Sequence, residues 1–351
     1  MAEITARELA AMLGISPSAV SLALNSKPGV SEKTRIEVME LAEKYNYSVP
    51  RASEIAAPAG KRSICLLIYV DQLVSIAENT SFSTFVLQGV ESAASAMGYN
   101  TIIRYFTAET SLESFAFEMF KEVAGLIVLG TDITPYRLNE IHELLSHAAA
   151  IPVVVIDNFL LCEQVDCIGN DNFSGAKNAV RHLVKAGCRR IGYIRAKQRI
   201  SNFDDREDGV CAALAQAKLK LYTVVNTGIS SEQAYQDVSA WLQQSPVLPD
   251  AFFADNDVLA AAAIRALKNY GVDVPGQVSM IGFDDIPVCE MTDPPLSTVQ
   301  SYKEQLGDTA VRIINDRLSL NQNLGGLQQS GYVKIQVSTF LRLRQSTKAQ
   351  Q

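Results

Sequence analysis

Between residues 64 and 283, short apolar runs alternate with amphipathic segments, and the alternation runs its course twice. The first series opens with Ile64-Cys65-Leu66-Leu67-Ile68-Tyr69-Val70 and continues through runs at 101–105, 125–129 and 152–156. Helices are expected over 82–97, near 112–121 and near 136–147. The second series has runs at 190–194, 222–225, 251–254 and 278–283, with helices expected over 175–186, 206–217, 231–243 and 258–269. Continuous apolar runs of this length read as strands buried on both faces of a parallel sheet, with the amphipathic segments as crossover helices. The fold class is therefore α/β, with two doubly wound parallel-sheet lobes. In open parallel sheets ligands collect at the carboxyl ends of the strands, so the cleft between facing lobes is the expected site.

Polar residues stand at those strand ends. Asp157-Asn158, Asp171-Asn172, Asp255-Asn256-Asp257 and Asp284-Asp285 each follow an apolar or strand-like run. Each has a purely structural alternative, because Asp and Asn cap helices and favour turns. Arg206 opens an expected helix, where the helix dipole disfavours a cation, which points to a partner for its guanidinium. Carboxylates accept from hydroxyls while arginine and asparagine donate to them, so the set suits a neutral polyhydroxy ligand.

The first 45 or so residues have a different pattern. Ala6, Leu9, Ala10 and Leu13 fall at helical spacing, and Gly14 supplies a turn. Ser16 is placed to cap a second helix with Pro17 at its first position. The inner face of that helix is Ala19, Val20, Ala23 and Leu24, which leaves Pro17, Ser18, Ser21, Leu22 and Asn25 outward. A third helix is expected from a Ser31 cap, with Ile36, Val38, Leu41, Ala42 and Tyr45 as its apolar positions. This is a helix-turn-helix, whose second helix docks in the DNA major groove in proteins that read DNA, although packed helix pairs of this kind also occur elsewhere.

Composition bounds the rest. At 351 residues, 48% hydrophobic and 20% charged, the chain can bury a large core and divides into more than one domain. Residues 1–62 carry a net charge of +1 against −8 for the remainder of a chain at −7, so attraction to phosphate must be local. No apolar run approaches the roughly 20 residues that cross a bilayer, and no basic-then-apolar leader opens the chain, so the expected compartment is the cytoplasm. Cys65, Cys162, Cys167, Cys188, Cys211 and Cys289 are scattered without metal-ligand spacing and read as buried free thiols. No metal or cofactor is expected. His142, His147 and His182 all fall within expected helices, which argues against acid–base catalysis and leaves a sugar-processing enzyme as a remote alternative.

Several motifs together resemble the lactose-repressor (LacI) family of bacterial transcription regulators over nearly the whole chain. They are the helix-turn-helix followed by Asn25–Arg35 and Asn46-Tyr47, then Asp171–Ala176 with Arg181-His182-Leu183 and Gly187. Arg206 with Gly209, Asn256-Asp257, Val274-Pro275, Val278–Asp285 and Pro294–Val299 follow in order. The resemblance implies a headpiece over 1–46, a hinge over 47–61 and a core of periplasmic-binding-protein type I over 62–351. The first lobe is expected at about 62–160 and 299–328, the second at about 161–296 and 329–345. It implies a homodimer reading double-stranded DNA at a palindromic operator, without membrane attachment, and under control of a small-molecule effector. By the resemblance Pro17, Ser18 and Leu22 contact bases, with Thr5, Ser16, Ser21, Asn25 and Ser31 near the phosphates. The effector cleft takes Asp71, Phe82, Ser83, Ser174, Arg206, Asn256, Asp284 and Ser301.

Two positions depart from the family pattern. Leu22 stands where members often have an arginine, and offers only apolar contact to a base, for instance to a thymine methyl. In the hinge, members usually carry a leucine that wedges into the minor groove. Direct counting puts Ala56 there, so either Ile55 serves as the wedge in a shifted register or the segment is a plain linker. The effector is expected to be a sugar, since a phosphate would favour several basic groups where Arg206 is the clear one; a purine, an amino acid or a sugar phosphate are the alternatives.

Overall fold

The computed structural model describes residues 6–24, 30–44, 62–70, 80–107, 110, 117–160, 164–323 and 331–348. The chain divides into two compact units, Met1–Ala56 and Ala57–Gln351.

In the smaller unit three helices run over Ala6–Leu13 (α1), Pro17–Leu24 (α2) and Glu32–Lys44 (α3). Gly14 turns the chain at φ +64°, a left-handed conformation that costs glycine nothing. Both expected caps form: the Ala19 N–H donates to Ser16 Oγ at 3.1 Å, and the Thr34 N–H to Ser31 Oγ at 3.1 Å. Leu9, Ala10, Val20, Ala23 and Val38 make the small core, with Leu13, Leu24 and Leu41 packed on it. Ile36, expected among the inner positions of α3, is instead 53% exposed; the helix turns its Val38–Leu41–Ala42 side inward.

The larger unit holds two six-stranded sheets. The strands and helices of the first series are Ser63–Val70 (β1), Thr80–Ala96 (α4), Asn100–Thr107 (β2), Gly125–Leu129 (β3), Leu138–His147 (α5), Val153–Ile156 (β4) and Asp166–Asn170 (β5). The second series is Asn172–Lys185 (α6), Ile191–Ala196 (β6), Ser201–Gln216 (α7), Thr223–Thr227 (β7), Ser231–Gln243 (α8), Ala251–Ala254 (β8), Asp257–Asn269 (α9) and Ser279–Asp284 (β9). Ser297–Gln300 (β10), Lys303–Asn323 (α10), Lys334–Val337 (β11) and Phe340–Arg342 (β12) complete the chain.

The first sheet has the order β11-β5-β4-β3-β1-β2 and is parallel throughout; the second is β12-β10-β9-β8-β6-β7, with only β12 antiparallel. Alternate residues of a strand face opposite sides. Ile64 and Leu66 accordingly pack under α4 and α10, while Cys65 and Leu67 pack toward α5. In the second lobe, Phe252 lies on the α8–α9 side and Tyr193 and Phe253 on the α6–α7 side. Helices α4 and α10 touch backbone to backbone at two glycines: a Cβ on Gly89 would lie 2.0 Å from the Glu304 carbonyl oxygen, and one on Gly307 2.3 Å from that of Val86.

Several expectations change here. Residues 166–170, assigned from sequence to the second lobe, form a strand of the first sheet by pairing in parallel with β4 and β11, and β11 pairs there too. Strand β10, placed from residue 299 in the first lobe, belongs to the second sheet through β9 and β12. The chain therefore crosses between lobes three times, at 170–172, 300–303 and 337–340. Near 112–121 the described residues contain a 3-10 turn, Phe117–Lys121. The Cys211 thiol is exposed on α7, while Cys65, Cys167, Cys188 and Cys289 are buried as expected; Cys162 lies outside the described residues.

Candidate effector cleft

A cleft between the lobes holds about 930 Å³ of empty space, a figure that includes its open mouth. Its first-lobe wall is built by the carboxyl ends of β1 and β3, by α4 and by Tyr105 of β2. Its second-lobe wall is built by the start of α7 and the residues that end β8 and β9.

The central cation is Arg206, 3% exposed. Helix α7 begins at Ser201, so Arg206 sits in its second turn and not at its start, and the dipole argument for it falls away. Its guanidinium is held on every side. Nε donates to Asn172 Oδ1 at 2.9 Å, Nη1 to the Asp255 carbonyl at 2.6 Å and Nη2 to Asp284 Oδ1 at 3.0 Å. The plane stacks on Phe283, with 3.8 Å from Cζ to the ring centre. Three of five donors are thus used inside the protein, and two remain for the cleft.

Asp157 is the second charged group. It is 2% exposed, in a left-handed backbone conformation at φ 66°, and its Oδ2 accepts from Thr131 Oγ1 at 2.8 Å. Its Oδ1 is buried without a hydrogen-bond partner. Burial pushes the carboxyl up to about 7, against the opposing pull of the Thr131 hydroxyl and the Arg206 guanidinium, and with the Asp284 charge adding to the rise. An orphaned carboxylate oxygen lining a cleft is an acceptor waiting for a donor. Asn202 braces this residue, donating from Nδ2 to the Asp157 carbonyl at 3.2 Å while its Oδ1 accepts from Asn172 at 3.1 Å.

The other strand-end residues divide. Asp255 accepts from the Tyr193 hydroxyl (2.5 Å), the Ala196 N–H (2.7 Å) and Arg199 (2.9 Å), and Asp257 from Thr298 Oγ1 (2.5 Å) and the Ile286 N–H (3.0 Å); both are spent inside the second lobe. Asn158 is spent on the carbonyls of Gly130 and Ile133 and the Leu160 N–H. Asp285 pairs with Arg344 at 2.7 Å. Asp171 caps α6 through the Ser174 N–H at 2.9 Å. Asn256 caps α9 through its Oδ1 and also lines the cleft, which leaves its amide nitrogen as the donor there.

Of the effector residues expected from sequence, Phe82, Ser83, Arg206, Asn256 and Asp284 are brought together on the cleft. Ser174 is not among its lining residues, because it stands in the first turn of α6 under the Asp171 cap. Ser301 is not either: it is buried, with Oγ donating to the Asp284 carbonyl at 3.2 Å. Asp71 lies outside the described residues. Sequence reasoning missed Tyr105, Thr131, Asp132, Asn202 and Phe203, and left Asp157 undecided between turn and site. The i, i+4 spacing of Asn202 and Arg206 was the available signal, hidden by starting α7 too late. None of the three histidines lines the cleft.

In the headpiece Leu22 is partly exposed on α2, and Ser16 and Ser31 are helix caps. Pro17, Ser18 and Ser21 lie on α2. Thr5, Asn25 and Ile55 lie outside the described residues. No described helix is long and apolar enough to cross a membrane.

A family of periplasmic binding protein-like domains matches residues 180–347. The chain is 29% identical over 349 residues to the HTH-type transcriptional repressor PurR of Haemophilus influenzae (strain PittEE), covering 98% of this chain and 99% of that protein. It is 29% identical over 318 residues to the ribose operon repressor of Haemophilus influenzae, covering 90% and 92%. The structure of the Lac repressor dimer bound to operator and the anti-inducer ONPF superposes with a TM-score of 0.66 at 22% identity, over 99% of this chain and 100% of that one. Fold and full-length similarity agree: the chain is similar along nearly its whole length to bacterial transcriptional repressors, it shares the fold of the Lac repressor, and its residues 180–347 match a periplasmic binding protein-like domain.

Proposed function

We propose that this protein is a cytoplasmic repressor that binds a palindromic operator as a homodimer and is controlled by a neutral polyhydroxy effector, a sugar, in the interlobe cleft. The observation that carries the effector class is the charge of the cleft. Its described lining has three carboxylates (Asp132, Asp157 and Asp284) against one guanidinium, which is already paired with Asp284. Such a wall repels a phosphate and accepts from hydroxyls. Asp157 Oδ1 and Asp284 supply acceptors, Arg206 and Asn256 supply donors, and Phe82, Tyr105 and Phe203 supply faces for a sugar ring to lie against. In the headpiece, Pro17, Ser18 and Leu22 read bases while Thr5, Ser16, Ser21, Asn25 and Ser31 hold phosphates, and Leu22 confines its reading to apolar contact. Ile55 is the wedge candidate in the hinge.

A purine is the second reading, since the same aromatic faces suit a planar base. A DNase footprint on the DNA upstream of the gene, at fixed salt, decides between them. Neutral pentoses and hexoses, their phosphates and purine bases are added in turn. A symmetric protected site altered by a neutral sugar is the expected result. Response to a purine or a sugar phosphate alone overturns the effector class, and absence of protection overturns operator binding as assigned.

A further inference from the structure

A lysine is buried where the chain crosses from the second lobe to the first. Lys303 is 4% exposed and is the first residue of α10, where the dipole disfavours a cation. No carboxylate pairs with it among the described ion pairs. Its ammonium is instead surrounded by oxygens of two short segments, Asp284-Asp285 and Ser301. Nζ donates to the Asp284 carbonyl, to the Ser301 carbonyl at 3.3 Å and Oγ at 3.4 Å, and reaches the Asp285 carbonyl at 3.5 Å. Ser301 Oγ donates to the same Asp284 carbonyl. Across the lobe boundary, Nζ lies 5.7 Å from the ring centre of Phe85 on α4, the helix that carries the cleft residues Phe82 and Ser83.

The Asp284-Asp285 segment is strained. Asp284 sits at φ 107° and Asp285 at φ 54°, two consecutive non-glycine residues in a region that L residues rarely adopt. The conformation aims the Asp284 carboxylate into the cleft and onto Arg206 at 3.0 Å. Strain of this kind persists only where the surroundings over-determine it. Here Arg342 and Arg344 hold the Asp285 carboxylate and Arg206 that of Asp284, while the Lys303 ammonium and the Ser301 hydroxyl converge on the Asp284 carbonyl oxygen.

We infer that Lys303 is a positioning residue for the effector site: by clamping the Asp284 carbonyl at the lobe crossing, it sets the direction in which the Asp284 carboxylate meets Arg206 and the cleft. The inference rests on the cleft being the effector site, but its first test needs no effector. Lys303 touches the backbone of Asp284 and not its carboxylate, so a lysine that merely propped the fold would be blind to what the side chain carries. The test is a double-substitution cycle in the full chain, using urea unfolding of the larger unit. Lys303→Met removes the donors at similar length; Asp284→Asn removes the carboxylate. Asp284→Asn is expected to lower the folded-to-unfolded ratio at least tenfold in the native chain and less than threefold in the Lys303→Met background. Lys303→Arg, which keeps donors, is expected to restore the full effect.

Equal cost of Asp284→Asn in both backgrounds overturns the inference. If Lys303→Met does not fold, Ser301→Ala takes its place in the cycle, with the same expected loss of coupling and the same overturning result. A second readout is the thermal shift given by D-ribose, D-glucose and D-galactose. Any shift seen with the native chain is expected to fall by more than half in Lys303→Met and to return in Lys303→Arg. If no sugar shifts the native chain the effector reading fails, while the cycle still decides the role of Lys303.

Discussion

Arg206→Ala is the substitution with the most direct consequence. It deletes a guanidinium that is 3% exposed, three hydrogen bonds of 2.6 to 3.0 Å and a stack on Phe283. What is left behind matters more than what is lost. The Asp255 carbonyl and the Asp284 carboxylate are stranded, and breaking a buried pair by removing one partner typically costs about 3–5 kcal/mol. The Asp284 side chain keeps 14% exposure, so cleft water can solvate it in part, and the lower end, about 3 kcal/mol, is expected. That is roughly a hundredfold in the folded-to-unfolded ratio and about 5 °C in Tm for a unit of this size. The chain's single tryptophan offers the assay: Trp241 packs edge-on against Phe252 in the second lobe, so its fluorescence reports that lobe's unfolding in urea. Arg206→Lys keeps the charge but loses the fork, and should fall between the two. A loss below about 1 kcal/mol in Arg206→Ala would refute the reading of a compensated buried cation. Effector-driven stabilisation that survives Arg206→Ala intact would refute its part in binding.

Asp157 predicts a pH response. Its carboxyl titrates at about 7 in the folded chain against 3.8 ordinarily, so between those values the folded state holds the extra proton and stability falls as pH rises toward 7. Asp157→Asn should therefore stabilise the chain at pH 8 relative to pH 4, seen as a flatter plot of urea midpoint against pH; and an effector that donates to Oδ1 should bind the native chain more tightly at pH 8 than at pH 6 by calorimetry. Gly307→Ala forces a Cβ to within 2.3 Å of the Val86 carbonyl oxygen and 2.6 Å of the Val90 nitrogen, so α4 and α10 must part, at a cost of about 3 kcal/mol visible in the circular-dichroism melt. Leu22→Ala should alter base preference at one operator position while leaving non-specific DNA affinity unchanged, and Ile55→Ala should weaken operator binding; anisotropy titrations on operator and scrambled duplexes check both.

The strands that were legible are those whose residues are apolar on both faces, because burial alone selects them. Strand β5 reads Asp-Cys-Ile-Gly-Asn, and its Asp166 is buried only because Arg317, 151 residues on, donates to both its oxygens at 2.6 and 2.8 Å. A partner that distant leaves no local trace. Strand β10 is Ser-Thr-Val-Gln and hides its hydroxyls by bonding Thr347, the Arg344 N–H and Asp257. The lobe crossings run through such polar strands, which is why the lobe boundaries were misplaced. At the cleft, Arg206, Asn256 and Asp284 stood out as polar residues set against apolar runs. Composition could not separate Asp157, whose oxygen is left unpaired, from Asp255, whose oxygens are all used, since both are aspartates after an apolar strand.

The division of the cleft between lobes sets what an effector must do to control anything. A ligand held only by Arg206, Asn256 and Asp284 would touch the second lobe alone and bind open and closed arrangements equally, and equal affinity shifts no population. Control requires contact with the first-lobe wall, which at α4 is Phe82, Ser83, Thr84 and Leu87. Ser83→Ala removes one polar group from that wall, and a neutral hydrogen bond contributes about 1 kcal/mol. Because that loss falls only on the arrangement in which both walls touch the ligand, it should come mainly out of the coupling. The ratio of operator affinities with and without effector is expected to drop by about fivefold, since about 1.4 kcal/mol corresponds to a factor of ten. Anisotropy on labelled operator at saturating effector measures the ratio, and calorimetry measures effector affinity separately. An effector that binds Ser83→Ala more weakly yet, at saturation, changes operator affinity by the native ratio would show that the first-lobe wall contributes binding without control, and the closure argument would fail.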